Sequence, residues 1–293
     1  MSCTSPLLAY RDCFGSMNFL NRDKWSIADA EKYFGKGNVF FIPCGKCAAC
    51  RLAKRKEYAV RCAMEAKEYG DNCCFITLTY DNDHLKTWLC KKDLQYFFRK
   101  LRRLGHKFRY FACGEYGSST GRAHYHAILF GYRPSDLKHI GESETKQPLF
   151  TSKEVVDTWS KGLITVQNFS PEVASYVAGY VNKKIGDHDG FLLMSKKPGL
   201  GYKYLMEHKD KLLENDVIVD DFGSLKKCIA PRYFSQLCDR FGIDRTYTSQ
   251  KRMEAMQEGI AGEMLLFGME REELCARKCD EYKRKERSLK RAL

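Results

Sequence analysis

The chain has 293 residues, of which 44% are apolar and 13% aromatic, enough to bury a sizeable core and to exclude wholesale disorder. Fifty Lys and Arg against 37 Asp and Glu leave a net charge of +13, which points to a polyanion such as nucleic acid as partner. No run approaches the roughly 18 consecutive apolar residues of a membrane helix, and the first ten residues lack the basic-then-apolar pattern of a secretory leader, so a cytoplasmic protein without membrane association is expected.

Three regions differ in composition. Residues 1–69 form a Cys-rich and basic helical region, 70–190 hold the best strand signals and most of the histidines, and 191–293 are charged and mainly helical. Fourteen cysteines without a leader read as reduced thiols or metal ligands rather than disulfides. The spacing Cys44-x2-Cys47-x2-Cys50 lets three thiolates share one zinc, with Cys3, Cys13 or Cys62 as a fourth ligand. An iron–sulfur cluster and a set of buried reduced thiols are the other readings of this spacing.

In the middle region, Cys74–Tyr80 alternates with period two and is rich in β-branched and aromatic residues, which predicts a strand. Leu94, Phe97, Phe98, Leu101 and Leu104 fall at helical spacing, and Gly105 ends that helix. Phe108–Cys113 and Ala123–Phe130 are strands joined by the turn Gly114–Gly121, and Gly162–Gln167 is a further strand. Ser170, Pro171 and Glu172 supply an N-cap, a first-turn proline and an acid at the positive end of a helix reaching Lys184. The order βαββ, then αβα, predicts an α+β fold, an antiparallel sheet with helices against one face.

His124 and His126 are two apart on a predicted strand, so both imidazoles leave the same face. The pair alone also fits two histidines on a half-exposed strand. Glu115 lies across the predicted hairpin, and two imidazoles with one carboxylate make a three-ligand metal site with open positions. Tyr176 and Tyr180 lie four apart on one helix face, with Lys183 and Lys184 a turn further on. Such a pair can be a core stripe. Beside lysines it also suits a phenolate nucleophile, because a phenol of pKa about 10 attacks only once its proton is lost.

In this order the pieces resemble a known family. Phe75-Ile-Thr-Leu-Thr-Tyr80, Glu115, His124-Tyr-His126 and Tyr176-x3-Tyr180-x2-Lys183 are similar to the motif series of the HUH replication initiators. Pro43-Cys-Gly-Lys-Cys-Ala-Ala-Cys-Arg51, Cys113-Gly-Glu-Tyr-Gly117 and Gly121-Arg-x-His-Tyr-His126 resemble those of small single-stranded DNA phages, the gokushovirus branch of the microviruses. Tyr125 stands where the superfamily usually has an aliphatic residue, but it points to the opposite face. The resemblance implies an HUH endonuclease-like core with Cys-rich N-terminal and helical C-terminal extensions. It also implies rolling-circle initiation in the bacterial host cytoplasm, acting on single-stranded and replicative-form DNA at the origin. A tyrosine would join the 5′ phosphate and the 3′ hydroxyl would prime a host polymerase, after which a second transfer closes the released strand. Glu115, His124 and His126 would hold Mg or Mn, Tyr176 and Tyr180 would be nucleophiles, and Lys183 would stabilise charge. No Gly-x4-Gly-Lys-Ser/Thr loop is present, so unwinding would fall to a host helicase.

The basic stretches Arg51, Lys54, Arg55, Lys56 and Arg99, Lys100, Arg102, Arg103, together with Lys184, are candidates for DNA backbone contact. Tyr96, Tyr110 and Tyr116 are available for stacking on bases. Within the superfamily, relaxases and transposases are the neighbouring variants. A non-catalytic zinc-dependent nucleic-acid binder, with His124 and His126 as structural ligands, is the reading from a different class.

Overall fold

The chain folds into two compact units, Met1–Ala53 with Met253–Arg291 and Lys54–Arg252, in a computed structural model that describes residues 3–86, 88–117, 121–143, 146–179, 190–219, 227–268 and 271–291. The first unit opens with strands β1 (Leu7–Arg11) and β2 (Met17–Leu20), helix α1 (Ile27–Phe34) and strand β3 (Val39–Ile42). The strands pair antiparallel in the order β2-β1-β3. Ser26 caps α1 by accepting the Asp29 amide on its hydroxyl, which satisfies one of the orphan donors of the first turn. Leu8, Ala30 and Val39 are buried between this sheet and α1, with Tyr10 stacked on Phe34 at 3.8 Å. This is a small core. Helix α2 (Ala48–Lys67) begins in this unit and continues into the second.

The second unit contains β4 (Cys73–Thr79), α3 (Lys91–Arg103), β5 (Arg109–Tyr116), β6 (Ala123–Phe130), β7 (Lys138–Glu142), β8 (Pro148–Thr151), α4 (Lys153–Trp159), β9 (Ile164–Asn168), α5 (Pro171–Gly179) and β10 (Phe191–Met194). Its seven strands form one sheet in the order β10-β5-β6-β4-β9-β8-β7, and every pairing is antiparallel. There follow α6 (Tyr202–Glu207), α7 (Lys209–Asn215), the hairpin strands β11 (Val217–Val219) and β12 (Lys227–Ile229), α8 (Arg232–Phe241) and α9 (Thr246–Phe267). Helix α9 crosses back into the first unit, where α10 (Arg271–Arg291) ends the described chain.

The α+β class expected from the sequence is observed, but helices cover both faces of the sheet rather than one. Alternation sorts the strand residues. Ile76, Leu78, Tyr80, Tyr125, Ala127 and Leu129 meet Leu94, Phe97, Phe98 and Leu101 of α3 and Val155 and Trp159 of α4. On the reverse face, Phe75, Phe111, Ile128 and Phe130 meet Ala59, Cys62 and Ala66 of α2 and Ala174, Val177 and Ala178 of α5. The central strands β4 and β6 are buried on both sides, as a sheet between two helical layers requires. Each large apolar side chain buried here contributes about 1.5–3 kcal/mol. The helix expected over Ser170–Lys184 is seen as α5. Residues 180–184 lie outside the described residues.

Candidate active site

The sheet register builds a polar cluster on the face that carries α5. Thr77 pairs directly with His126 and Thr79 with His124 across β4 and β6, and Glu115 of β5 faces His124 from the other side. Side chains at paired positions share a face, so all five converge. Thr77 Oγ1 lies 3.0 Å from His126 Nδ1, and Thr79 Oγ1 lies 2.9 Å from His124 Nδ1. The two hydroxyls therefore fix both rings and direct each Nε2 outward. Glu115 Oε1 lies 2.9 Å from His126 Nε2, and both groups are buried. Phe75 stacks on the His126 ring at 5.6 Å and 12°.

Tyr176 brings the helix into this cluster. Its hydroxyl donates to Glu115 Oε1 at 3.2 Å, and its ring meets His126 edge-on at 5.3 Å. Burial, with the neighbouring His126 and Arg122, holds the His124 imidazole below its usual range against the pull of Glu115. The ring is thus neutral near pH 7, the form that ligates a metal.

The donor chemistry fits a divalent cation. A carboxylate only accepts, so a proton or a cation must lie between Glu115 Oε1 and His126 Nε2, and two imidazoles with one carboxylate suit Mg-, Mn- or Zn-type ions. Glu115 and His126 are in contact, whereas the three groups together do not close to 4.8 Å. Among the described residues the set that does is Cys3, Cys44, Cys47 and Cys50, a cluster that could hold a structural metal. Tyr180 and Lys183 lie outside the described residues.

The basic residues divide. Lys54, Lys56, Arg99, Arg102 and Arg103 are exposed. Arg102 covers the rings of Phe108 and Tyr110, and Arg99 and Lys100 lie over the exposed Tyr96. Helix α3 packs on the sheet face opposite the histidines, so its cations border a different surface. Arg51 pairs with Glu286 at 2.5 Å, and Lys184 lies outside the described residues. Arg55, expected to face DNA, is instead buried. Its Nε donates to the Ser175 carbonyl at 2.7 Å and the Ser175 hydroxyl at 3.0 Å, which anchors α5 one residue before Tyr176. Sequence reading assigned no role to Thr77, Thr79 or Phe75 here. Their signal was present, since alternation puts all three on one face of a strand that neighbours the histidines.

Residues 73–185 match the family model of the ORF2-type replication-associated proteins. The chain is 30% identical over 268 residues to the replication-associated protein ORF2 of Spiroplasma virus 4, covering 84% of this chain and 83% of the relative. It is 34% identical over 215 residues to the replication-associated protein VP4 of Bdellovibrio phage phiMH2K, covering 67% and 66% of the two chains. It is 31% identical over 218 residues to the replication-associated protein ORF4 of Chlamydia phage 1, covering 68% and 53%. The chain therefore belongs to the phage replication-associated protein family, with relatives among the gokushovirus-like microviruses. No solved structure matches it.

Proposed function

We propose that this replication protein initiates rolling-circle synthesis by nicking and rejoining origin DNA through tyrosine transesterification. The observation that supports this most is the Tyr176 hydroxyl on Glu115, whose carboxylate also meets His126. A nucleophile and a ligand set so placed can act on one phosphodiester. In the reaction, the Tyr176 oxygen bonds to phosphorus as the bond from phosphorus to O3′ breaks. The phenol loses its proton and the leaving 3′ oxygen gains one, so the strand keeps a 3′ hydroxyl. The phosphodiester energy is retained in the phosphotyrosine, and no nucleotide cofactor is consumed.

Glu115, His124 and His126 would hold a divalent metal, which when bound supplies positive charge to polarise the scissile phosphate. Thr77 and Thr79 keep the imidazoles oriented, and Arg55 fixes the helix that carries the phenol. Exposed Lys54 and Lys56 lie on α2, one of the helices covering the sheet face that bears the histidines, and suit the incoming backbone. Tyr180 is the second phenol, Lys183 stabilises charge and Lys184 contacts the backbone; host helicase and polymerase do the rest.

The test is covalent capture. Labelled single-stranded fragments tiled across the phage genome are incubated with protein and Mn²⁺ and run on a denaturing gel. Wild type gives an adduct with one fragment set, and at least one of Tyr176→Phe and Tyr180→Phe keeps adduct formation but loses rejoining. The double variant gives none. A covalent adduct from the double variant overturns this assignment, and binding without any wild-type adduct overturns the enzyme reading.

A further inference from the structure

We propose that Cys3, Cys44, Cys47 and Cys50 form a closed four-thiolate zinc site that staples the N-terminal segment to the start of α2. This inference is independent of the nicking reading. The four Sγ atoms lie within 4.8 Å of one another, with Cys3 Sγ 3.6 Å from Cys44 Sγ and 3.8 Å from Cys47 Sγ. A zinc–sulfur bond of about 2.3 Å in a tetrahedron gives sulfur–sulfur edges of about 3.8 Å. Disulfide sulfurs stand at about 2.05 Å, and all four cysteines are free. A polynuclear iron–sulfur cluster spreads its thiolates over several irons, which four sulfurs this close do not permit.

The backbone is shaped for thiolates. Gly45 takes a φ of +73°, a turn that L side chains resist. That turn lets the amides of Lys46 and Cys47 donate to Cys44 Sγ at 3.4 and 3.3 Å, while the Cys44 amide donates to Cys3 Sγ at 3.3 Å. Cys50 sits in the first turn of α2, where no acidic residue is present and the helix dipole favours an anion. Burial pushes the Cys50 thiol up. Burial also raises Cys47, but hydrogen bonds involving Thr4 and Cys50 outweigh it and bring that thiol down to about 6. Zinc would resolve this imbalance by taking all four as thiolates and releasing their protons to solvent.

Four thiolates around Zn²⁺ leave a charge of about −2, and a cation stands beside it. Arg51 donates to the Lys46 carbonyl at 2.6 Å inside the Cys44–Cys47 turn, and to Glu286 of α10 at 2.8 and 2.5 Å. Cys44 and Cys47 are among the charges that raise its pKa, after Glu286. The same guanidinium thus links the cysteine turn to the C-terminal helix within the first unit. With every ligand from protein, no position remains for substrate, so the site is structural. Cys3 is the fourth ligand. Cys13 is exposed, and Cys62 is buried in the apolar core of the second unit.

The experiment uses the full chain purified in reductant without chelator. Elemental analysis should give about one zinc per chain, and Co²⁺ substitution should give the visible bands of a tetrahedral tetrathiolate. Cys3→Ser should weaken zinc binding by at least about tenfold, while Cys13→Ser leaves it unchanged. Should Cys3→Ser fail to fold, alkylation of wild type decides: Cys3, Cys44, Cys47 and Cys50 resist until chelator is added, whereas Cys13 reacts at once. Zinc-free protein, iron in place of zinc, or Cys3 reacting as fast as Cys13 in the metal-loaded chain would overturn the assignment.

Discussion

In the second unit, Glu115, His124 and His126 stand on neighbouring strands of a sheet packed on both faces. In the first, Cys3 joins Cys44 and Cys47 across 41 and 44 residues of chain, and the buried apolar cluster beside them is built on Leu8, Ala30 and Val39. The sheet exists whether or not anything occupies the histidine face, because its cost in chain entropy is offset by two large apolar layers. A small apolar cluster leaves its unit dependent on a staple. One site is mounted on a scaffold, and the other is the scaffold. Changes at the first should therefore alter chemistry and spare the fold, while changes at the second should alter the fold.

The largest expected effect follows from removing metal from the cysteine cluster. Structural zinc contributes on the order of 10–16 kcal/mol of apparent binding energy in small zinc modules, so a strong chelator should make the first unit protease-sensitive. Mass-mapped limited proteolysis should find cuts within residues 1–53 while the sheet of the second unit stays intact. Equal loss of both units would break the comparison.

The converse test is His126→Gln, which keeps an amide donor for Glu115 and removes a ligand of the nicking metal. Adduct formation should fall by several kcal/mol of transition-state stabilisation, with the melting temperature within a few degrees of wild type. A variant that cleaves at the wild-type rate would remove His126 from the site. A smaller change is expected from Thr77→Val, which is nearly isosteric but deletes the hydrogen bond to His126 Nδ1. By the usual cost of losing a ligand's supporting partner, the Mn²⁺ concentration for half-maximal nicking should rise about 10- to 100-fold. An unchanged metal titration would show that ring orientation is set by packing on Phe75 alone.

The smallest effect concerns the opposite face of the sheet, where Asp93 accepts from the Tyr80 hydroxyl and the Lys86 ammonium, each at 2.5 Å. Burial would raise the Asp93 carboxyl, but Lys86 and Tyr80 outweigh it and hold the group below its ordinary value. A depressed carboxyl stabilises the fold above its unfolded pKa of about 3.9 and loses that contribution as pH falls through the folded value. Asp93→Asn should cost about 0.5–1 kcal/mol near neutral pH and nothing in strong acid. Melting curves of both proteins at pH 7 and pH 2.5 should converge at the lower pH, and a constant difference would argue against an ionic contribution.

The local features were legible in the sequence because each is carried by a few consecutive residues. Period-two alternation gave β4 and β6, and with it the shared face of His124 and His126. Helical spacing gave α3, the Ser-Pro-Glu start gave α5, and the cysteine triplet announced a shared ligand. What required the tertiary structure was every choice among distant partners. Cys3 rather than Cys13 or Cys62 joins the triplet because β1 and β3 bring the two segments together. Thr77 and Thr79 meet the imidazoles because the register of β4 against β6 pairs them, and Arg55 is drawn off the surface by the Ser175 carbonyl. Helices on both sheet faces, and the short strand β10 at its edge, follow from long-range burial that no window of sequence contains. Local sequence fixes which way a side chain points along its own element; only packing between elements fixes what it meets there.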